Sequence, residues 1–234
     1  NKKKFINLLN YNSSKDTKKI FVDTADNSGQ LKNDIFPFVD NYWKGQILNK
    51  KKYLNNYYGG RLFTDYYNKK FQIEDTEPIT GTATKKEYLK KISISWNMGL
   101  TNYGMFSHIY QKLYSITKFK NFINNEKNFC KPKNFRKINF SCRIGSNYLR
   151  ETVAFQRKKL ITILPKNIDT NKIRRTKYLK EIRNSKFTIS PFGWGELCPR
   201  DFEAFIFGSV LIKPNMSNFK TWPNWYINNK TYIP

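Results

Sequence analysis

The stretch that decides the fold covers residues 187–214 and reads FTISPFGWGELCPRDFEAFIFGSVLIKP. Its first residues form a short apolar run that stops at Pro191, as a buried strand would. Pro199 suits the first turn of a helix, where a missing N–H costs no hydrogen bond. Gly208 matches the end of that helix, and residues 209–212 have the pattern of a second strand. The sequence therefore predicts a parallel βαβ crossover with a glycine loop after its first strand.

The glycine loop is the predicted ligand-binding element. Gly193 and Gly195 let the backbone turn sharply and approach a ligand closely. Ligands of parallel sheets bind beyond the carboxyl ends of the strands, where this loop lies. Glu196 and Glu203 flank the start of the helix, and a carboxylate can accept paired hydrogen bonds from sugar hydroxyls. The alternative is that Glu196 caps the helix and Glu203 is an exposed helical residue.

The same stretch resembles the donor-binding motif of GT-B glycosyltransferases, in their exostosin-like and group-1-like branch. The resemblance is carried by residues 193–196 (GWGE), 200–208 (RDFEAFIFG) and 213–217 (KPNMS). It implies that the loop and two glutamates hold a nucleotide sugar. Six residues separate the glutamates, one fewer than in the common motif. The donor-binding residues implied here are Gly193, Trp194, Gly195, Glu196, Arg200, Glu203 and Ser217.

A second predicted βα unit offers basic residues for the donor phosphates. Residues 137–144 have the pattern of a strand, and residues 150–164 that of a helix. The resemblance places one basic residue at the end of that strand, matched by Arg143, and another on the helix, matched by Arg157 or Lys158. Such cations neutralise phosphate as a nucleoside diphosphate leaves. The alternative for each of them is an ordinary surface charge.

The first half of the chain offers candidate catalytic acids. Residues 19–23 have the pattern of a buried strand that ends in Asp23, and a polar loop containing Asp26 follows. Because α/β folds place functional residues at strand ends, Asp23 and Asp26 are candidates for the general base of an inverting transfer, or for binding acceptor hydroxyls. The alternative for each is a loop cap or an Asx turn. A retaining reaction requires no such base.

Five further segments complete the predicted layout. Residues 34–48 carry an apolar stripe at helical spacing and are predicted to be a helix. The aromatic run after Gly59-Gly60 is predicted to be a strand or an edge segment. Residues 84–87 (TKKE) resemble a capping box that opens a helix, and residues 93–100 are β-prone with Trp96 beside Asn97. Residues 117–137 are predicted to connect two domains, over residues 1–125 and 136–234.

The amino-acid composition favours some classes of function and excludes others. The formal net charge is +26, from 43 Lys and Arg against 17 Asp and Glu, which favours polyanionic partners. AT-rich coding bias is the alternative explanation. A single histidine, His108, excludes a multi-His metal site and argues against Ser–His–Asp catalysis. The three cysteines contain no CxxC pair, so the sequence supports neither a zinc site nor a disulfide framework.

These observations predict an α/β fold with two Rossmann-like halves of GT-B type, each a parallel sheet flanked by helices. The resemblance implies metal-independent transfer from a nucleotide-sugar donor to a glycan or lipid-linked acceptor in surface polysaccharide synthesis, without a cofactor. The positive charge favours an anionic acceptor or peripheral membrane contact, and we expect a location in the cytoplasm or at the cytoplasmic membrane face. The alternatives are a basic nucleic-acid-binding module and an inactive glycosyltransferase homologue. Against the first of these, the sequence shows no HTH, RRM, KH or zinc-finger signature. The chain starts without Met, and we expect it to be a fragment.

Overall fold

The computed structural model describes residue 7 and residues 17–49, 62–75, 82–97, 103–122, 129–133 and 135–234. Within these ranges the fold is mixed α/β, with two parallel sheets flanked by helices and joined by a small antiparallel pair of strands. No helix in the described ranges combines the length and the apolar character needed to cross a membrane.

The first parallel sheet is built from the N-terminal half and has the strand order β1-β2-β4. Tyr42 lies at its centre, paired with Phe21 on one side and with Ile92 on the other. Short helices surround it. The strands and helices are β1 (Ile20–Asp23), β2 (Asn41–Lys44), β3 (Gln46–Leu48), β4 (Ile92–Ile94), α1 (Leu62–Phe71), α2 (Lys86–Leu89) and α3 (Ser107–Thr117), with single 3₁₀ turns at Phe36–Phe38 and Lys120–Phe122.

The second parallel sheet is built from the C-terminal half and has the order β5-β6-β7-β9. Its βαβ crossover confirms the arrangement predicted for residues 187–214. The helix predicted over residues 150–164 is also present, within a residue of the expected bounds. The elements are β5 (Ile138–Ser141), α4 (Glu151–Ile163), α5 (Arg175–Asn184), β6 (Ser185–Ile189), α6 (Pro199–Ile206), β7 (Val210–Ile212), β8 (Phe219–Thr221) and β9 (Tyr232–Ile233).

Helix α6 begins and ends where the sequence predicts. Pro199 occupies its first turn, and the Asp201 carboxylate accepts a hydrogen bond from the Cys198 amide at 3.1 Å. Gly208 ends the helix in a left-handed conformation, with φ of +66°. The amides of Gly208 and Ser209 then donate back to the last carbonyl groups of the helix, which is the Schellman arrangement. Asp201, and not Glu196, is therefore the carboxylate that caps this helix.

The predicted helix over residues 34–48 is wrong. The segment forms a 3₁₀ turn followed by β2, Gly45 and β3. Within β2, Tyr42 and Lys44 are buried while Trp43 is exposed, so the true period of burial is two. The apolar stripe did identify core residues, because Ile35 and Val39 are also buried. Two parallel partners for β2 provide backbone hydrogen bonds that local helix propensity could not offset.

Three other local predictions need correction. The aromatic run from Leu62 is helix α1 and not a strand, while residues 50–61 lie outside the described ranges. The capping box is absent, because the Thr84 hydroxyl donates to the Asn33 side chain at 2.6 Å and α2 begins without a side-chain cap. Strand β1 is present but is not buried. It lies at the sheet edge, with Ile20 44% and Val22 52% exposed. Residues 98–100 and part of 117–137 also lie outside the described ranges.

The two predicted domains contribute to a common core. The largest hydrophobic cluster contains Leu48 and Phe63 from the first half beside Phe192 and Phe219 from the second. Strand β3 pairs antiparallel with β8, which adds backbone hydrogen bonds between the halves. This junction brings the loop after β1 against the glycine loop after β6. The boundary between residues 1–125 and 136–234 stays a prediction.

Candidate functional site

A cavity of about 600 Å³ lies at the carboxyl end of β6, where the glycine loop leads into α6. Residues 193–195 form one wall, α5 and the preceding loop form another, and the loop after β1 closes the side. Cationic side chains outnumber acidic ones in the lining. The cations are Arg143, Lys172, Arg175, Arg157 and Arg200, and the carboxylates are Asp26 and Glu203.

Arg157 is the most informative of these cations, because it is only 5% exposed and forms no ion pair with a carboxylate of the described residues. Its guanidinium donates to the carbonyl groups of Gly145 at 3.0 Å and Phe192 at 3.5 Å, and it lies 4.1 Å from the centre of the Tyr148 ring. Its Nε has no hydrogen-bond partner. Burial lowers the pKa of Arg157, and the charge of the nearby Arg200 lowers it further.

Arg200 places a second charge next to the first. One of its terminal nitrogens donates to the Arg143 carbonyl at 2.6 Å, and its buried Nε also lacks a partner. A desolvated charge without a counter-ion is costly in a protein interior. Burial alone would lower the pKa of Arg200, but the neighbouring Tyr178, Cys198 and Glu203 raise it, so Arg157 is the less compensated of the two. Two guanidinium groups facing one cavity nevertheless indicate a site for a multiply charged anion.

Arg143, predicted to bind the donor phosphates, also lines the cavity, but its charge is already neutralised. Its Nε donates to Glu181 at 2.9 Å, and a terminal nitrogen contacts Asp169. Hydrogen bonding to Glu181 raises the pKa of Arg143. Arg143 therefore presents less free positive charge to the cavity than Arg157 does.

Glu203 lies in the cavity wall and is buried, so the alternative of an exposed helical residue is wrong. Arg175 donates to its Oε1 at 2.5 Å, and the Tyr178 hydroxyl donates to its Oε2 at 2.7 Å. Burial, and then the Glu203 charge, raise the pKa of Tyr178. Arg175 and Tyr178 were not predicted from the sequence. Their spacing on α5 places them on one helical face, and the acid that they meet lies on a different helix.

Glu196 is fully buried and lies outside the cavity lining. It accepts hydrogen bonds from the backbone amide and the hydroxyl of Ser28, both at 3.2 Å, and from the Gln46 amide at 3.1 Å. Burial raises the pKa of Glu196 to about 7. The carboxylate thus joins the glycine loop to the N-terminal half, and it is neither a helix cap nor a wall of the cavity.

The same junction fixes Asp26, one of the two predicted catalytic acids. The Asp26 carbonyl accepts a hydrogen bond from Gln46, the residue that also contacts Glu196. A Cβ atom added to Gly195 would lie 1.8 Å from this carbonyl oxygen. Glycine is thus required here by contact between two loops. The Asp26 side chain is exposed and lines the cavity.

Asp23, the other predicted acid, lies in the interior and outside both cavities. It is buried, it pairs with Lys44 at 2.8 Å and accepts hydrogen bonds from Tyr42 at 2.5 Å and from the Ala25 amide. Burial alone would raise the pKa of Asp23, but the Lys44 charge and these hydrogen bonds hold it below its usual value. Asp23 thus makes the Asx turn that was given as the alternative, and its carboxylate lines neither cavity, so a catalytic role for it stays a prediction.

The remaining predicted residues divide into two groups. Gly193 and Trp194 line the cavity, and the Trp194 ring lies 4.4 Å from the Arg150 guanidinium. Lys158 and Ser217 are exposed and lie outside the lining. Lys158 follows Arg157 on α4 but faces solvent, because neighbouring helical residues point about 100° apart. The Ser217 amide donates to Asn215, within its own loop.

A smaller cavity of about 190 Å³ adjoins the first one. Thr24, Gln46, Trp96 and Asn97 contribute to its lining, and Asp26 and Leu197 line both cavities. Asp26 therefore lies where the two spaces meet. Within the described ranges, no group of three or more His, Cys, Asp or Glu side chains could hold a metal ion.

No protein-family model, curated protein or solved structure matches this chain.

Proposed function

We propose that the chain is a glycosyltransferase of GT-B type that moves a sugar from a nucleotide-sugar donor to a glycan or lipid-linked acceptor. The two parallel sheets would be its two Rossmann-like halves, and the larger cavity would bind the donor. The proposal is supported by the sequence resemblance of residues 193–217 and by the position of that cavity beyond the carboxyl end of β6.

The single observation that carries the proposal is the buried guanidinium group of Arg157, which pairs with no carboxylate of the described residues and has the Arg200 guanidinium beside it. A diphosphate would supply the missing negative charge and would accept hydrogen bonds from both groups. In this role the arginines stabilise the leaving nucleoside diphosphate, which is the task of a divalent cation in metal-dependent transferases. The N-terminus of α6, which opens on the same cavity, adds partial positive charge.

The sugar of the donor would lie between Glu203 and Trp194. The Glu203 carboxylate keeps lone pairs beyond the two hydrogen bonds that it accepts, so it can bind sugar hydroxyls. The exposed face of Trp194 offers an aromatic surface on the opposite wall. Asp26, at the mouth of the smaller cavity, is the acid that we propose as general base.

The proposal is tested by thermal shift with UDP, GDP, a panel of their sugar conjugates, and an oligonucleotide. A ligand at a hundred times its Kd stabilises the folded state by about 2.7 kcal/mol. For a chain of this size that free energy corresponds to a rise in Tm of roughly 5 to 11 °C.

Two neighbouring residues of α4 provide matched variants. We expect Arg157→Gln to abolish the shift, because it removes the uncompensated charge, and Lys158→Gln to retain it, because Lys158 is outside the cavity. Stabilisation by the oligonucleotide but not by any nucleotide or nucleotide sugar would instead support a nucleic-acid-binding module. A shift without sugar transfer or donor hydrolysis would identify an inactive homologue.

A further inference from the structure

Trp96 lines the smaller cavity, and Trp222 packs against Trp96; both side chains are exposed although their backbone is held in place. Trp96 is 51% and Trp222 46% exposed, and their ring centres are 4.0 Å apart in an edge-to-face arrangement. The two residues form a parallel β-bridge, and the amide of Asn97 donates to the Trp222 carbonyl at 3.1 Å. A single exposed tryptophan is common, but two adjacent exposed indoles on a fixed backbone beside a cavity favour a binding surface.

The smaller cavity next to the indoles has polar walls. Thr24 supplies a hydroxyl, Gln46 and Asn97 supply amides, and Asp26 supplies a carboxylate. A sugar ring needs both kinds of surface, because its C–H face packs on an aromatic ring while its hydroxyls require hydrogen-bond partners. The volume of about 190 Å³ is roughly six times that of a water molecule in the liquid.

The position of Asp26 connects this cavity to the chemistry proposed for the larger one. Because Asp26 lines both, a hydroxyl bound in the smaller cavity would reach the carboxylate from the side opposite the donor. The hydroxyl oxygen would then bond to the anomeric carbon and pass its proton to Asp26. The bond from that carbon to the phosphate oxygen would break, and the nucleoside diphosphate would leave with the electron pair beside Arg157 and Arg200.

We propose that the smaller cavity and the indoles of Trp96 and Trp222 form the acceptor subsite, and that this subsite selects an uncharged sugar. The assignment of an acceptor rests on the proposed function. The selectivity follows from the part of the lining that the structure describes, in which the one charged side chain is the carboxylate of Asp26 and no lysine or arginine takes part. An acidic sugar placed there would meet like charge without compensation. The net charge of +26 therefore plays no part in binding the reacting sugar.

The test is binding to an array of immobilised oligosaccharides that carry either neutral or uronic-acid terminal residues. We expect wild type to bind neutral termini only. Trp96→Ala and Trp222→Ala should each weaken that binding about fivefold to tenfold, the usual contribution of one aromatic contact. Trp96→Phe should restore part of it. The matched control is Trp43→Ala, since Trp43 is an exposed tryptophan that lines neither cavity.

The thermal shift of each protein with UDP and GDP is also measured. This second readout separates failure of the acceptor subsite from failure of the proposed transferase function. Loss of glycan binding in the Trp96 and Trp222 variants, with the nucleotide shift retained, supports the subsite. The subsite is refuted if the variants bind glycans like wild type, if wild type prefers uronic acids, or if it binds the nucleotides but no glycan. Glycan binding that depends on the indoles, in a protein that binds no nucleotide, would keep the subsite and reject the transferase.

Discussion

Replacing Gly195 by alanine tests the contact on which the arrangement of both cavities depends. The added Cβ would lie 1.8 Å from the Asp26 carbonyl oxygen and 2.5 Å from its carbon. Non-bonded heavy atoms rest at about 3.5–4.0 Å, so one backbone must move by roughly 1.5 Å or more. Neither side can yield cheaply, because the Asp26 carbonyl accepts a hydrogen bond from Gln46 and Gln46 also donates to the buried Glu196.

The cost can be worked out from these contacts. Overpacking alone costs about 1–3 kcal/mol, and a buried hydrogen bond lost from Glu196 adds about 1–3 kcal/mol. We therefore expect Gly195→Ala to lower the free energy of unfolding by about 3 kcal/mol or more. For a chain of 234 residues that is a fall in Tm of roughly 6–12 °C. Donor and glycan binding should fall together, since the displaced loop carries Asp26.

Chemical denaturation and thermal scans of Gly195→Ala and Gly145→Ala measure the effect. Gly145 is the matched control, because a Cβ added there would meet no atom within 4 Å. At such an open position alanine changes stability little, or raises it by about 0.4–1 kcal/mol through the unfolded state. Equal stability of the two variants would show that the close contact between Gly195 and Asp26 is not a feature of the folded protein.

Two further predictions concern the acids of the N-terminal half and of the glycine loop. Asp23→Asn should destabilise the fold by about 3–5 kcal/mol, because it leaves Lys44 buried without its partner. Asp26→Asn should keep wild-type stability and lower the rate of sugar transfer about 10²–10⁴-fold. If instead Asp26→Asn lost stability and Asp23→Asn lost only activity, the assignment of the two acids would be refuted. For Glu196, the folded-state pKa of about 7 exceeds the ordinary value of 4.5, so the folded state binds the extra proton and stability should fall as pH rises between those values. Chemical denaturation of wild type and Glu196→Gln from pH 4.5 to 8 checks this. The free energy of unfolding should fall less steeply with pH in Glu196→Gln, because the glutamine does not titrate. An equally steep fall in both proteins would contradict the prediction.

The parts of the fold that were predictable from the sequence are those whose signals are local. Helix α6 lies between Pro199 and Gly208, which act within one turn of each helix end, and the strands on either side are short apolar runs. The helix predicted for residues 34–48 was wrong, because apolar residues at helical spacing become core residues in any structure that buries them, including strands. Residues 41–44 form strand β2 because they pair with β1 and β4, which lie about 20 and 50 residues away in the sequence.

The site was less predictable than the fold, since its partners come from distant segments. Glu203 was identified as a candidate, but its contacts are made by Arg175 and Tyr178 on the preceding helix. Glu196 was assigned to the donor, and only the packing of the halves shows that it meets Ser28, which is 168 residues earlier. Asp23 and Asp26 are three residues apart with the same side chain, yet one is ion-paired in the interior and the other lines both cavities.

Charge compensation together with position, and not charge itself, distinguishes Arg157 in this strongly basic chain. Arg136 is also buried without a carboxylate partner among the described residues, but backbone carbonyl groups accept its hydrogen bonds and it lies outside the larger cavity. Lys44 and Lys213 are as buried as Arg157, but each faces a carboxylate, at 2.8 Å from Asp23 and 3.1 Å from Asp201. Arg143 is likewise paired with Glu181. Those ion pairs are complete within the protein and need no ligand. Arg157 has given up its hydration without gaining a counter-ion among the described residues, which is why we propose that an anion in the cavity would stabilise its charge.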